Sequence, residues 1–460
     1  MISEEELAKL SFKGAPRIKV TPPGPRSQEI LSYQKEHESS TVSYSKGLPM
    51  ALRRGRGATL EDVDGNVYID MFGGAGVMAV GHGHPVVLKA AHEQIDQITH
   101  TLDIPTPTRK NMVEVLQKFL PKELNRIFFG GPTGSDAVEQ AIKLARYNTG
   151  RNSIIAFEGA YHGMTGISLA LTCDRHHREG IGQLVPDVQF IPYPYPYRNP
   201  FGCPDEEVDL QAAENLDRVL SDSHSGYLKP AAVILESVQG EGGTIIPTTR
   251  FMKRIREICN KHGVLMICDE IQAGLGRTGK MFAFEHFDIV PDIVTMSKAL
   301  GGLGFPIAAI AYKDKLNTWP AGKSIGTFRG NMIAFAAGSA ALNWMIENHI
   351  PERALELGKK AMVLLKKLES GSAIVGEARG IGLMLALEIV KDKRSKEPSP
   401  EYAQMVRKYA HQRGVMIEIG GHYGHVVRLL PPLVITEEYL MKGINILGGV
   451  IKDIEEGKLS

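Results

Sequence analysis

The chain has 460 residues, 43% of them hydrophobic, and its 53 lysines and arginines balance 52 aspartates and glutamates to a net charge of +1. A chain of this length buries a large core and is expected to form more than one domain. Balanced charge, with no long basic stretch, excludes nucleic acid and anionic membranes as main partners. The four cysteines show no CxxC spacing and the acidic start lacks the order of a signal peptide, which predicts a cytoplasmic protein without a disulfide framework.

The first 84 residues are interpreted as an N-terminal arm followed by part of a small domain. Proline, glycine, serine and charged residues are mixed over residues 1–50, which is typical of irregular structure rather than of a core element. The next stretch, TLEDVDGNVYIDM, alternates apolar and polar residues around Asp64-Gly65. This pattern predicts a β-hairpin.

Residues 85–345 are predicted to form a large α/β domain. Short apolar segments indicate strands, and amphipathic stretches lie between some of them; the strand-like segments are NRIFFGG, NSIIAFEG, AAVILES, VLMICDE, DIVTMSK and PIAAIAY. Strands that are apolar on both faces are typical of a mostly parallel sheet covered by helices. Residues 346–460 are predicted to form a smaller α+β domain.

Two of these strand-like segments end in chemically useful residues, Asp269 and Lys298. Upstream, GGPTGSDAVEQ places glycines and Ser135 directly before a predicted helix. The apolar residues of that helix fall on one face: Val138, Ala141, Ile142 and Ala145. Free backbone N–H groups at such a helix start suit a phosphate.

Each of these features also has an ordinary structural explanation. An acid at a strand end often caps the next helix, a lysine can open a helix at the surface, and a glycine-rich turn capped by Ser135 or Asp136 needs no phosphate. Together, however, they form a binding frame for pyridoxal phosphate. That cofactor needs a lysine for a Schiff base, an acid against the pyridine nitrogen and a helix N-terminus for the phosphate.

Three other motifs are interpreted as structural. GLGRTGK (274–280) matches GxGxxG, but it does not follow a strand directly, and Met281 replaces the Ser or Thr that a P-loop needs. His82 and His84 lack further ligands at a metal-binding spacing, so they are interpreted as turn residues and no metal site is predicted. The run PYPYPYRNP (192–200) favours an extended polyproline conformation, which predicts a surface or interface loop.

A series of motifs resembles the class III aminotransferases, pyridoxal-phosphate enzymes of fold type I, from about Pro16 to the C-terminus. The motifs are TLEDVDGNVYID, PTGSDAVEQAIKLAR, FEGAYHGMT, ILESVQGEGG, ICDEIQAGLGRTGKMFAFEH, PDIVTMSKALGGLGFP, GTFRGN and VRLLPPLVIT. The resemblance implies a large domain with a mostly parallel, seven-stranded-type sheet and a smaller α+β domain. It also implies a homodimer or higher homo-oligomer with a shared active site.

The resemblance implies a role for each site residue. Lys298 would form the Schiff base with pyridoxal 5'-phosphate and carry the proton, and Asp269 would hold the ring nitrogen protonated. Tyr161 would stack on the ring with His162 beside it, and Gln272 would approach the ring hydroxyl. The other implied cofactor-binding residues are Gly134 and Ser135 at the phosphate, Glu236, and Thr327, which would reach the phosphate of the neighbouring subunit.

Within the family, GTFRGN and VRLLPPLVITEE are most similar to 2,4-diaminobutyrate:2-oxoglutarate 4-aminotransferases. The predicted function is therefore transfer of the terminal amino group of a diamino acid, L-2,4-diaminobutyrate, to or from 2-oxoglutarate or glutamate. Glu241 and Arg428 match the family's pair that handles the carboxylate of the 2-oxo acid. Arg329 is a candidate for a further carboxylate contact or for a subunit-interface salt bridge.

Other functions stay open at this point. PYPYPYRNPFG and PRIKVTPPGP resemble amino-acid racemases and epimerases of the same family, and 4-aminobutyrate or ornithine aminotransferases share its motifs. A non-enzymatic binding protein on this fold is a third alternative, against which the retained Lys298 and Asp269 argue. The chain departs from the family pattern at three positions: Pro132 and Thr133 replace the usual Asn-Ser, and Ser237 replaces a proline.

Overall fold

The computed structural model describes residues 2–459. The chain divides into two compact units: one contains both ends of the chain, up to Pro85 and from Met345, and the other is Val86–Trp344. Among the described residues, no helix is long and apolar enough to cross a membrane. All four cysteines are free thiols.

The N-terminal part of the chain is more regular than its composition predicts. Its elements are α1 Glu4–Leu10, α2 Pro25–His37, α3 Tyr44–Gly47, β1 Leu52–Arg56, β2 Thr59–Asp62, β3 Val67–Asp70 and α4 Gly73–Gly76. Residues 1–50 therefore contain helices, because Ser3 and Glu6 form a capping box at α1 and a proline opens α2. The predicted hairpin is confirmed: β2 and β3 pair antiparallel, with Thr59 opposite Ile69.

The middle of the chain alternates helices and strands. Its elements are α5 Pro85–Ile95, α6 Pro107–Gln117, β4 Arg126–Gly131, α7 Gly134–Thr149, β5 Ile154–Phe157, α8 Gly166–Ala170, α9 Arg175–Arg178, β6 Val188–Ile191, α10 Val208–Ser221, β7 Ala232–Glu236, α11 Thr249–His262, β8 Leu265–Asp269, β9 Ile293–Met296, β10 Ala308–Tyr312 and α12 Met332–Glu347. Short 3-10 helices lie at Pro196–Arg198, Asp205–Glu207, Ala283–Phe287, Lys298–Gly301 and Asp314–Leu316.

These strands form one seven-stranded sheet in the order β4-β10-β9-β8-β7-β5-β6. Strand β10 is antiparallel to both of its neighbours, whereas the pairs from β9 to β6 are parallel. The apolar face of α7 is buried with the sheet, as predicted. The predicted α/β fold with a mostly parallel sheet is confirmed; the sequence prediction missed only β6 among its strands, because VQFI is half-buried and short.

The C-terminal part has the predicted α+β character. Its elements are α13 Ile350–Gly371, β11 Val375–Ile381, β12 Met384–Ile389, α14 Pro400–Gln412, β13 Val415–Met416, β14 Glu418–Gly420, β15 Val426–Leu429 and α15 Glu437–Glu455. Strands β11, β12, β15 and β14 form one sheet, and β13 adds to the sheet of β1, β2 and β3.

Helix α12 packs closely against the turn that carries Lys298. A Cβ atom at Gly338 would lie 2.1 Å from the carbonyl oxygen of Leu300. Because the Leu300 carbonyl belongs to the backbone and the backbone of α12 fixes where the Cβ lies, neither can move aside easily. Gly338→Ala is therefore expected to destabilise the protein by about 1–3 kcal/mol through overpacking, measured as a lower thermal midpoint. Gly371→Ala on α13 is the matched control, since its Cβ would meet nothing within 4 Å. Equal midpoints for both variants would contradict the close contact.

Candidate active site

A cavity of about 220 Å³ lies at the carboxyl ends of β7 and β8. It is lined by Thr133, Gly134, Ser135, Tyr161, His162, Gly163, Glu236, Glu241, Asp269, Ile271, Gln272 and Lys298. The parallel sheet explains why these side chains meet, because the ends of β7 and β8 are in register, with Glu236 opposite Asp269. The cavity brings together nine of the residues selected from the sequence, all but Thr327, Arg329 and Arg428.

Asp269 is the most firmly held acid in the cavity. Its Oδ1 accepts hydrogen bonds from Thr295 Oγ1 at 2.9 Å and from the N–H of Ile271 at 3.1 Å. Its Oδ2 lies 2.7 Å from Nδ1 of the buried His162. With Nδ1 assigned as the protonated nitrogen, His162 is a third hydrogen-bond donor to the Asp269 side chain, after Thr295 and Ile271.

Lys298 begins a 3-10 turn in an unusual backbone conformation. Its φ is 48°, in the left-handed region that residues other than glycine rarely adopt. Such a conformation costs on the order of 1–3 kcal/mol and persists where the surrounding structure fixes it, often at functional sites. The preceding residue is fixed by a hydrogen bond from Ser297 Oγ to the carbonyl oxygen of Ile307, at 2.9 Å.

The first residues of α7, Gly134 and Ser135, line the cavity. Thr133 caps the helix together with Asp136, whose Oδ2 accepts from the Thr133 N–H at 2.9 Å and from Thr133 Oγ1 at 2.7 Å. Ser135 therefore does not cap the helix; its hydroxyl accepts the N–H of Met164 at 3.1 Å. A Cβ at Gly163 would lie 2.3 Å from Ser135 Oγ, so only glycine lets these two segments approach.

These groups fit the cofactor that the sequence motifs imply. The start of α7, a helix of 16 residues, offers N–H groups and the Ser135 hydroxyl to a phosphate. Asp269 offers a carboxylate held by three donors, Lys298 an amine, and Tyr161 an aromatic face at the same cavity. Pyridoxal phosphate requires an anion-binding site, an acid and a lysine, and this cavity contains all three.

Burial shifts the acid–base properties of the cavity. Burial, with Asp269 nearby, raises the pKa of Glu236 to about 7, although His162 and two backbone N–H groups oppose the shift. Burial, with the negative charge of Glu241 nearby, also raises the pKa of the Tyr161 phenol. The cavity therefore contains a carboxyl group that changes charge near neutral pH.

Three residues selected from the sequence lie outside this cavity. Thr327 is exposed at the surface of its unit. Arg329 is buried: its Nη2 donates to Ser324 Oγ at 3.0 Å and its guanidinium lies 5.2 Å from the centroid of the Phe128 ring. Arg428 is fully buried on β15 of the other unit, where it lies opposite Glu418 in the register of strands β14 and β15.

Several residues that shape the site were missed in the sequence. Thr295 was passed over as part of an apolar strand, yet its hydroxyl holds Asp269; a lone polar residue in a buried strand was the available clue. Tyr193 and Tyr195 of the proline-rich run are buried, at 3% and 5% exposure, whereas Pro196 and Pro200 of the same run lie at the surface as predicted. Tyr193 Oη donates to the carbonyl oxygen of Glu236 at 3.1 Å, behind the cavity.

The model of the class-III aminotransferase family matches residues 41–451, so the chain belongs to this family. A diaminobutyrate–2-oxoglutarate aminotransferase of Haemophilus influenzae is 41% identical over 412 residues, which cover 88% of this chain and 90% of that protein. An alanine/serine racemase of Pyrococcus horikoshii is 35% identical over 451 residues, covering 96% and 94%. A solved (S)-enantioselective omega-transaminase of Thermomicrobium roseum superposes with a TM-score of 0.85 at 28% identity, covering 93% and 98%.

Proposed function

We propose that this enzyme is a pyridoxal-phosphate-dependent aminotransferase that moves the terminal amino group of L-2,4-diaminobutyrate to 2-oxoglutarate, or the reverse. The observation that carries the proposal is the similarity to diaminobutyrate–2-oxoglutarate aminotransferases, at 41% identity over 88% of the chain for two of them. The cavity supports it, because Lys298, Asp269 and the start of α7 form one lining.

Asp269, Lys298 and the start of α7 each have a task in this reaction. Bound pyridoxal phosphate supplies an electron-accepting ring and the carbon that carries the amino group between substrates. Asp269 keeps a proton at the ring nitrogen, and Lys298 Nζ holds the cofactor and then moves a proton to and from the substrate carbon. Ser135 and the first N–H groups of α7 bind the phosphate.

Carboxylate recognition is assigned to Glu241 and Arg428. An arginine binds a carboxylate with two parallel hydrogen bonds, which suits the distal carboxylate of 2-oxoglutarate. The resemblance to the family assigns to Glu241, which lines the cavity, the role of balancing the charge of that arginine when the diamino acid is bound.

A racemase is the second candidate, because the alanine/serine racemase relative matches 96% of the chain. One experiment separates the two functions. Holoenzyme is mixed with L-2,4-diaminobutyrate and 2-oxoglutarate in deuterated water. The glutamate formed is measured, together with the chirality and the α-deuterium content of the remaining diaminobutyrate. Glutamate formation with retained chirality supports the aminotransferase, whereas α-deuterium with loss of chirality and no glutamate supports the racemase. L-ornithine and 4-aminobutyrate are the competing amino donors in the same assay.

We further propose that the working unit is a homodimer in which Thr327 reaches the cofactor phosphate of the partner subunit. Exposed apolar side chains near Thr327 support a protein interface: Ile98, Leu102, Ile104, Ile325 and Phe328 are between 45% and 77% exposed. The ring of Phe328 lies 5.7 Å from that of His100, which connects the two exposed segments.

Mixed dimers test the shared site. Lys298→Ala and Thr327→Ala subunits are each expected to form impaired homodimers. A hybrid of the two carries both changes in one site and neither in the other, so coexpression should restore activity. A coexpressed hybrid that keeps the mass of a dimer on dilution but shows no restored activity would contradict the shared site.

A further inference from the structure

We propose that Glu236 is a positioning residue, which ties the segment carrying Tyr161 to the segment carrying Glu241. Glu236 is the last residue of β7 and is 6% exposed. Its Oε1 accepts the N–H of Tyr161 at 3.1 Å, and its Oε2 accepts the N–H of Gly240 at 2.7 Å. The two oxygens of one carboxylate are therefore used by two different loops.

The two loops, residues 158–163 and 238–243, contact each other at further points. We call this contact region around the Glu236 carboxylate the joint. Gln239 Nε2 donates to the carbonyl oxygen of Glu158 at 2.7 Å. A Cβ at Gly242 would lie 2.8 Å from the carbonyl oxygen of Gly159, so the backbones of the two loops touch. A shift of one loop is therefore transmitted to the other.

The strand end below this joint is held independently. Tyr193 Oη donates to the backbone carbonyl of Glu236, and β7 pairs with β8 up to Asp269. The backbone of Glu236 is thus fixed by the sheet while its side chain faces the loops. This division suits a residue that positions others from a rigid element.

The inference rests on the proposed function for what the loops do, since Tyr161 is assigned to the cofactor ring and Glu241 to the arginine that binds substrate carboxylate. If Glu236 sets the spacing between the two loops, its loss weakens both the stacking of Tyr161 on the ring and the selection of substrate carboxylates. The expected kinetic signature is a KM for 2-oxoglutarate that rises by more than kcat falls.

Glu236→Gln is the variant that tests the joint. The amide keeps the size of the side chain but has one acceptor oxygen, so one of the two N–H groups must face an NH₂ group. Hydrogen exchange of the Tyr161 or Gly240 amide is expected to speed up by about 10- to 100-fold, the factor for loss of one hydrogen bond to a charged group. The measurement uses the full chain, with and without cofactor, and needs no substrate.

Glu270→Gln is the matched control, at the residue that directly follows the neighbouring strand β8. Glu270 is also buried with its pKa raised to about 7, but it accepts the N–H groups of Ala283 and Phe284 and a hydrogen bond from Ser237. Its loss should speed exchange around residues 282–284 and leave residues 159–163 and 238–243 unchanged.

Two outcomes would overturn the proposal: unchanged exchange at both Tyr161 and Gly240 in Glu236→Gln, or an equal effect of Glu270→Gln on those amides. Glu236→Asp provides a second variant if the glutamine variant does not fold, because it keeps both oxygens on a shorter arm. An enzyme that fails the diaminobutyrate assay but shows the expected exchange would retain the joint and lose only the substrate assignment.

Discussion

Lys298→Ala is expected to lower kcat by at least about 10⁴-fold, the upper range for loss of a positioned acid–base group, because in the proposed function the same nitrogen also holds the cofactor covalently. Reduction of the wild-type holoenzyme with borohydride should fix the cofactor to residue 298, found by peptide mass spectrometry, and no label should appear in the variant. The thermal midpoint of the cofactor-free variant should match that of the cofactor-free wild type, since the substitution removes no packed core side chain.

Lys280→Ala controls for the loss of a lysine near the same region. Lys280 lies exposed in the connector between Asp269 and Lys298, where its Nζ donates to the carbonyl oxygen of Glu285 at 3.0 Å. This variant should retain wild-type kcat and the cofactor label at residue 298. A Lys298→Ala enzyme with near-normal turnover, or a label on another lysine, would remove the central assignment.

The position of Asp269 and Lys298 at one edge of the sheet was predictable because it depends on local order in the sequence. Asp269 and Lys298 each follow an apolar strand, and the ends of parallel strands meet at one edge of a sheet. The glycine-rich turn before α7 was predictable for the same reason. Family motifs then supplied roles for side chains that spacing alone leaves ambiguous, such as Tyr161.

The hydrogen-bond partners around those residues were not predictable, because each joins positions far apart in the sequence. Glu236 holds the N–H of Tyr161, 75 positions away, and Thr295 holds Asp269, 26 positions away. Ser237, a departure from the family's proline, donates to the buried Glu270. Proline has no side-chain hydroxyl, so the departure gives this chain an extra bond behind the site, which only the fold reveals.

Asp269→Asn is expected to lower kcat by about 10²- to 10³-fold or more, in the range for loss of a preorganised electrostatic contact. The amide keeps the shape of the side chain, and its oxygen can still accept from Ile271 and Thr295. The substitution removes the negative charge that, in the proposed function, keeps a proton at the ring nitrogen. The measurement is kcat at saturating substrate and cofactor, with cofactor content determined on the same sample.

Asp292→Asn separates that electrostatic effect from general damage to a buried acid. Asp292 is 3% exposed, like Asp269, but its carboxylate is paired with Arg256 at 2.7 Å and with Lys313 at 2.9 Å. Removing its charge leaves two cations without their partner, which costs about 3–5 kcal/mol for a buried pair. Asp292→Asn should therefore lose stability at unchanged kcat, and Asp269→Asn should lose kcat with a smaller loss of stability. If both variants lost stability and kcat in proportion, Asp269 would act as a structural acid and the proposed proton at the ring nitrogen would have no support.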